Sequence, residues 1–280
     1  MKNILLPTDF SEISRNAIQY AVSLFWDEPC NFYLLNVYRV PYLTNEQLME
    51  NDAGQLAIIE DELFDSSQKG LKDILSTLKR GKEHKFNSIS DYNFFSNSVR
   101  QHIEEKKIDL IVMGTKGATG AKEIFLGTNT GDVIMKTDCN LIAVPERASY
   151  SSPVEIAFPT DFRIAYQQRD LEPLVQMAMK HNATLRILHF SDTDALTDAQ
   201  KDNKRTLETL LANVRHEFYT LTMTDFEEAL NCFTQSRGNI GMIAIIARHY
   251  NFFQRLLFRP KVRDLSFHTK IPMFVLHHLK

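Results

Sequence analysis

Gly114, Gly117 and Gly127 lead into Thr128, Asn129 and Thr130. The apolar run Ile108–Met113 stops at the first of these glycines. It is short, continuous and rich in β-branched residues, as expected of a strand buried on both faces of a parallel sheet. Gly114 and Gly117 let the backbone turn sharply and approach something bulky. From Gly127 the pattern becomes helical, so Thr128, Asn129 and Thr130 fall at a helix start, where backbone N–H groups lack intrahelical partners. Two glycine turns and a hydroxyl-rich helix N-terminus form a place to hold phosphate. The plainer structural reading is a pair of tight turns followed by a helix cap.

Other chemistry is sparse. The nine histidines are scattered, with no His-x-x-x-His and no His beside Cys at metal-ligand spacing. Cys30, Cys139 and Cys232 lie far apart and form no Cys-x-x-Cys. They read as small buried apolar residues in a reducing compartment. There is no Gly-x-Ser-x-Gly elbow and no Gly-x4-Gly-Lys-Ser/Thr loop. No catalytic residue and no metal site is assigned.

The elements that must position the glycine loop occur twice. Asn3–Leu6 is a short apolar strand, followed by Pro7-Thr8-Asp9-Phe10 and a helical pattern with Ile13, Ala17, Ile18, Ala21, Val22 and Phe25 on one face. Asp9 or Ser11 can cap that helix. Val154–Phe158 is again a strand, and Pro159-Thr160-Asp161-Phe162 repeats the tetrapeptide. Strands at Phe32–Val37 and Leu185–Phe190 follow, then long helices around Glu60–Leu78 and Ala199–Val214. Third strands near Phe86–Tyr92 and Glu217–Met223 lead to helices capped by Asn97 and Asp225. Ile108–Met113 corresponds to Ile240–Ile245, and Leu141–Val144 to Met273–Leu276.

This order predicts an α/β fold of two tandem doubly wound domains, each a five-stranded parallel sheet with helices on both faces. The domains are placed at residues 1–147 and 153–280, joined by a polar, unpatterned linker. A single large sheet is the weaker alternative. At 280 residues, two domains are comfortable. The composition is 44% apolar and 24% charged with net charge −3, which gives no general reason to expect nucleic acid or membrane as partner. No stretch reaches a membrane-spanning length, so a soluble cytoplasmic protein is expected.

The spacing Gly114-x2-Gly117-x9-Gly127-Thr128 resembles the nucleotide loop of the universal stress protein family, whose ATP-binding members carry Gly-x2-Gly-x9-Gly-Ser/Thr. Ile4-Leu-Leu-Pro-Thr-Asp-Phe-Ser11 and Cys139-Asn-Leu-Ile-Ala-Val-Pro145 resemble the first and last strands of that family. The resemblance spans the chain as a tandem member and implies Rossmann-like domains of the adenine-nucleotide α-hydrolase type. It also implies a site. Pro7, Thr8 and Asp9 end the first strand at the carboxyl edge, where such sheets bind ligands. Asp9 resembles the acid facing the nucleoside, although capping alone also accounts for it. Val37 resembles the residue whose backbone reads the adenine edge. Met113, Gly114 and Gly117 resemble the ribose and phosphate loop. Gly127, Thr128, Asn129 and Thr130 resemble the helix start that binds the outer phosphates. The implied ligand is ATP, with any Mg²⁺ arriving with the nucleotide and held mainly by phosphate and water.

The second half departs from the motif. Gly114, Gly117, Gly127 and Thr128 become Ile246, His249, Arg259 and Pro260. Backbone approach is lost, and Pro260 removes an N–H donor. Pro173 is expected to disturb the helix that follows Asp161. One nucleotide site per chain is therefore expected. Arg248, His249, Arg255, Arg259, Lys261 and Arg263 interleave with aromatic residues, read as a helix with a solvated basic face or as a partner surface.

Three functions are consistent with these features. The leading one is a nucleotide-binding regulatory protein of stress response with at most slow ATP hydrolysis, acting through a protein partner and assembling as a homodimer or an intramolecular pseudo-dimer. The alternatives are an enzyme of the adenine-nucleotide α-hydrolase group, weakened by the absence of its catalytic motifs, and a dimerisation module that binds nothing.

Overall fold

The computed structural model describes residues 1–39, 53–115, 128–190, 195–221, 226–247 and 270–277. Within them the first half runs β1 (Lys2–Pro7), α1 (Glu12–Leu24), β2 (Cys30–Tyr38), α2 (Ala53–Thr77), β3 (His84–Tyr92), α3 (Phe95–Lys106), β4 (Leu110–Gly114), α4 (Thr128–Lys136) and β5 (Leu141–Val144). The second half repeats the order with β6 (Glu155–Thr160), α5 (Gln168–His181), β7 (Thr184–Phe190), α6 (Asp198–Leu210), β8 (His216–Leu221), α7 (Phe226–Arg237), β9 (Ile240–Ile246) and β10 (Met273–Leu276).

The two sets of five strands join into one sheet, in the order β3-β2-β1-β4-β5-β10-β9-β6-β7-β8. Neighbours within each set are parallel. The seam is antiparallel, with Phe274 opposite Ile142 and Val275 opposite Leu141. The last strands of the two halves thus pair within one chain, a point the sequence left open. Further contacts lie across the seam. Lys180 Nζ sits 2.7 Å from both Glu28 Oε1 and the Leu24 carbonyl oxygen, and the His277 backbone N–H donates to Asn140 Oδ1 at 2.8 Å.

Side-chain alternation splits the core into two layers. Ile4, Leu6, Phe32, Leu34, Leu110, Val112, Ile142 and Val144 face α1 and α2, and the corresponding residues of the second half face α5 and α6. Leu5, Leu35, Ile111, Met113, Leu141 and Ala143 face the other way, against Val99 of α3 and Val133 and Ile134 of α4; Leu230 and Phe233 of α7 complete that layer. Burial on both faces is why the central strands are continuous apolar runs. Each fully buried large side chain contributes about 1.5–3 kcal/mol of transfer free energy.

Several local expectations need correction. Helix α3 starts at Phe95, with Phe94 at the N-cap and no side-chain cap bond; Asn97 lies inside the first turn, and its backbone N–H donates to the Phe94 carbonyl at 3.0 Å. Pro173 sits inside α5 without ending it. It falls in the second turn, so one hydrogen bond is lost while the flanking Leu171, Leu174 and Met177 keep the helix buried. Cys30 and Cys139 are buried, but Cys232 is exposed. Asp225 and the basic stretch from Arg248 to Arg263 lie outside the described residues.

Candidate functional site

The carboxyl ends of β1, β2 and β4 lie side by side. Pro7 pairs with Leu35, the Thr8 N–H donates to the Leu35 carbonyl at 2.8 Å, and β1 pairs with β4 through Ile4–Leu110 and Leu5–Ile111. Pro7, Thr8, Val37, Met113 and Gly114 therefore belong to one sheet edge. Asp9 extends it as an exposed residue of the following turn.

That turn is built by its own side chains. Thr8 Oγ1 accepts from the Phe10 N–H at 3.0 Å and bonds Ser14 Oγ at 2.9 Å. Asp9 Oδ1 accepts from the Ser11 N–H at 3.1 Å and the Ser11 hydroxyl at 2.6 Å. Ser11 is the N-cap of α1, which decides between the two capping candidates. Phe10 takes a left-handed conformation, φ 67°. The second half copies this arrangement. Phe162 has φ 55°, its N–H donates to Thr160 Oγ1 at 3.1 Å, and Asp161 Oδ1 accepts from the Arg163 N–H at 2.9 Å. Pro-Thr-Asp-Phe is thus a turn motif in its own right, present with or without the glycine loop.

Gly114 also has a packing reason. A Cβ there would lie 2.5 Å from Ile13 Cγ2 and 3.3 Å from the Ile13 carbonyl oxygen. The glycine lets α1 sit down on the end of β4. Its replacement by Ile246 in the second half is matched by Ala165 in place of Ile13. The loss of glycine there consequently says nothing about ligand at this one position. Gly117 and Gly127 lie outside the described residues.

Helix α4 opens with Thr128 and Asn129 exposed and Thr130 buried. The Thr130 hydroxyl donates to the Gly114 carbonyl at 2.8 Å. This bond ties the helix start to the end of β4, at the carboxyl edge of the sheet. No acidic residue lies in that first turn, and Asp132 just beyond it is paired with Lys136 at 2.8 Å, so the positive end of the helix dipole favours an anion there. Thr130 can offer its backbone but not its hydroxyl proton.

Beside Val37, β3 supplies a polar cluster that sequence reasoning missed. Asp91 pairs with Val37 in register. Its Oδ2 accepts a hydrogen bond from buried Ser98 on α3, and His102 Nε2 lies 3.3 Å away. The Ser98/His102 spacing of four residues on one helix face was the available signal. Next to it, Tyr38 packs against Phe64 and Tyr92 with ring centroids 6.5 and 5.8 Å apart. Burial, and then Glu60 and Asp91, raise its phenol above the ordinary range.

In the second half larger groups occupy the corresponding positions. Tyr166 takes the place of Ser14 and its hydroxyl bonds Thr160 Oγ1; burial holds that phenol well above its usual value. His189 takes the place of Asn36. Where Asn36 Nδ2 donates to the Thr8 carbonyl at 2.8 Å, His189 Nδ1 lies 3.3 Å from the Thr160 carbonyl, and the ring stacks on Phe162 at 4.7 Å. Burial lowers the basicity of His189.

Residues 1–145, more than half the chain, match the model of the universal stress protein family. The chain belongs to the universal stress protein family. It is 28% identical over 143 residues to a universal stress protein of Methanocaldococcus jannaschii, covering 51% of this chain and 81% of that one. It is 25% identical over 147 residues to universal stress protein YxiE of Bacillus subtilis, covering 50% of this chain and 97% of that one. The crystal structure of a universal stress protein from Archaeoglobus fulgidus superposes with a TM-score of 0.60 at 18% identity, over 98% of this chain and 97% of the other. That likeness extends the shared fold through both halves, as expected for a tandem member. Among the described residues no helix is long and apolar enough to cross a membrane.

Proposed function

We propose that this universal stress protein binds one ATP per chain, in a first-half domain of residues 1–147, and that residues 153–280 form a degenerate domain with no nucleotide of its own. The observation that carries the reading is the pairing of the Gly114-x2-Gly117-x9-Gly127-Thr128 spacing with the acid-free first turn of α4, which Thr130 ties to the end of β4. Phosphate oxygens would be held by the backbone N–H groups of Thr128, Asn129 and Thr130 and by the Gly117 and Gly127 turns. Val37 would meet the base edge, and Asp9 and Met113 the nucleoside. Any Mg²⁺ would travel with the phosphates. Thr8 supports the site indirectly, because its side chain holds the turn that presents Asp9.

The role proposed is regulatory. ATP occupancy orders the sheet edge and so alters contacts with a protein partner during stress in the cytoplasm. With the β5 and β10 edges already paired to each other, the chain is proposed to act as an intramolecular pseudo-dimer.

Mass spectrometry of nucleotide released from the purified full chain tests the ligand without presupposing it. An adenine nucleotide is expected from the wild type and none from folded Gly117→Val, whose branched side chain would occupy the phosphate position. Equal amounts from both proteins would overturn the loop assignment.

A further inference from the structure

Among the described residues, the Asp91 carboxylate is held from the α3 side. Its Oδ2 takes the Ser98 hydroxyl proton, and His102 Nε2 stands 3.3 Å from that same oxygen. Ser98 is fully buried and His102 is 7% exposed, so these two groups on α3 fix the carboxylate from beneath. Among the described residues Oδ1 carries no hydrogen bond, and the side chain is 21% exposed. Docking α3 onto β3 uses one oxygen. The second is not used in it.

Its position gives that oxygen a use. Asp91 is opposite Val37 on the neighbouring strand, one residue before both strands end at Tyr38 and Tyr92. Paired residues of parallel strands project to the same face. Val37 packs on the α3 side, as does Ile89, two residues before Asp91. A base edge lying against Val37 would therefore have a fixed acceptor immediately beside it.

We infer that Asp91 is a specificity-determining residue of the proposed nucleotide site, accepting a hydrogen bond from the exocyclic amine of adenine through Oδ1; the inference rests on the ATP reading given above. A carboxylate is an acceptor only. It rewards an amine and opposes a carbonyl at the same ring position, where lone pairs would face lone pairs. Sites built to hydrogen-bond one ligand group discriminate strongly against analogues lacking it. A charge-assisted bond of this kind corresponds to about ten- to a hundredfold in affinity.

Equilibrium dialysis of the full chain with ATP and with inosine triphosphate, which carries a carbonyl in place of the amine, tests this. Wild type is expected to prefer ATP by about tenfold or more. Asp91→Asn should bring the two affinities to within about threefold, or invert them, by weakening ATP while the inosine nucleotide holds steady or gains. Asp91→Ser, which removes the charge and the reach, should act in the same direction and serves if the amide variant does not fold. An undiminished preference in either folded variant would overturn the inference. Wild type binding both nucleotides equally would overturn it while leaving the phosphate-loop reading in place. Wild type binding neither would overturn the ATP reading and this inference with it.

Discussion

Gly114 and Ile13 are fitted to one another: any Cβ on Gly114 would meet Ile13 Cγ2 at 2.5 Å. The strand end and the first turn of α1 touch through the missing side chain. Gly114→Ala should therefore destabilise the protein by about 1–3 kcal/mol through overpacking. Removing the obstructing branch in Ile13→Ala/Gly114→Ala should restore part of the loss, so the double mutant is more stable than the sum of the singles. Urea denaturation of the four proteins measures the coupling. Strict additivity would mean that the two residues do not compete for the same space.

Buried Arg186 joins three strands. It pairs with buried Glu155 and with Glu217 at the more exposed rim, while Arg237 reaches Glu155 at 3.5 Å. Arg186→Ala leaves Glu155 in the interior without its closest partner and should cost about 3–5 kcal/mol. Glu155→Leu/Arg186→Met, which removes both charges and keeps the volume, should recover most of that loss. Thermal and urea unfolding distinguish the cases, and a double mutant as unstable as Arg186→Ala would contradict the account.

The seam between the halves is expected to be acid-sensitive. Burial pushes the His277 imidazole down to about 4, against a weaker opposite pull from Asp138. His181, bonded through Nδ1 to Ser152 Oγ at 3.0 Å, is also lowered to about 4, by burial and then by Lys180. A histidine whose basicity is depressed by folding takes up protons more readily in the unfolded chain. Stability is therefore at its full value above the ordinary histidine value near 6.5 and is lost as pH falls from there toward 4. For buried His277 the loss over that window is on the order of 3 kcal/mol. His277→Leu should flatten the acid limb of a stability–pH curve while changing stability at pH ~8 by only about 1 kcal/mol. An unchanged acid limb would show that His277 is not the group responsible.

The parts of the fold legible in the sequence were those in which local pattern and burial agree. Leu141–Val144 and Met273–Leu276 coincide with β5 and β10 because a short apolar run buried on both faces has no competing helical period. The repeated Pro-Thr-Asp-Phe announced two copies of one turn, and both form. Helix starts were less legible. At α3 the polar Asn97 looked like a cap, yet Phe94 holds that place, because packing rather than capping sets where this helix begins. The junction of ten strands into one sheet was only the weaker alternative in the sequence, since nothing in β5 alone states whether its partner lies in the same chain.

Within the site, side chains chosen by type proved to have internal partners. Thr8 is tied to Phe10 and Ser14, and Thr130 to Gly114, bonds whose partners in the Thr130 case lie well apart along the chain. Gly114 read as a ligand-approach residue because Ile13, a hundred positions earlier, is invisible to spacing. Asp91 was missed for the converse reason: its significance comes from the register of β3 against Val37 and from α3 beneath it, and neither is written in the residues around it.

The central claim is one adenine-nucleotide site in a chain that carries two copies of the fold. Titration calorimetry of the nucleotide-free full chain with ATP tests it most directly. A single class of site with one ATP bound per chain is expected, lost in Gly117→Val. No heat of binding, or two equivalent sites per chain, would contradict it.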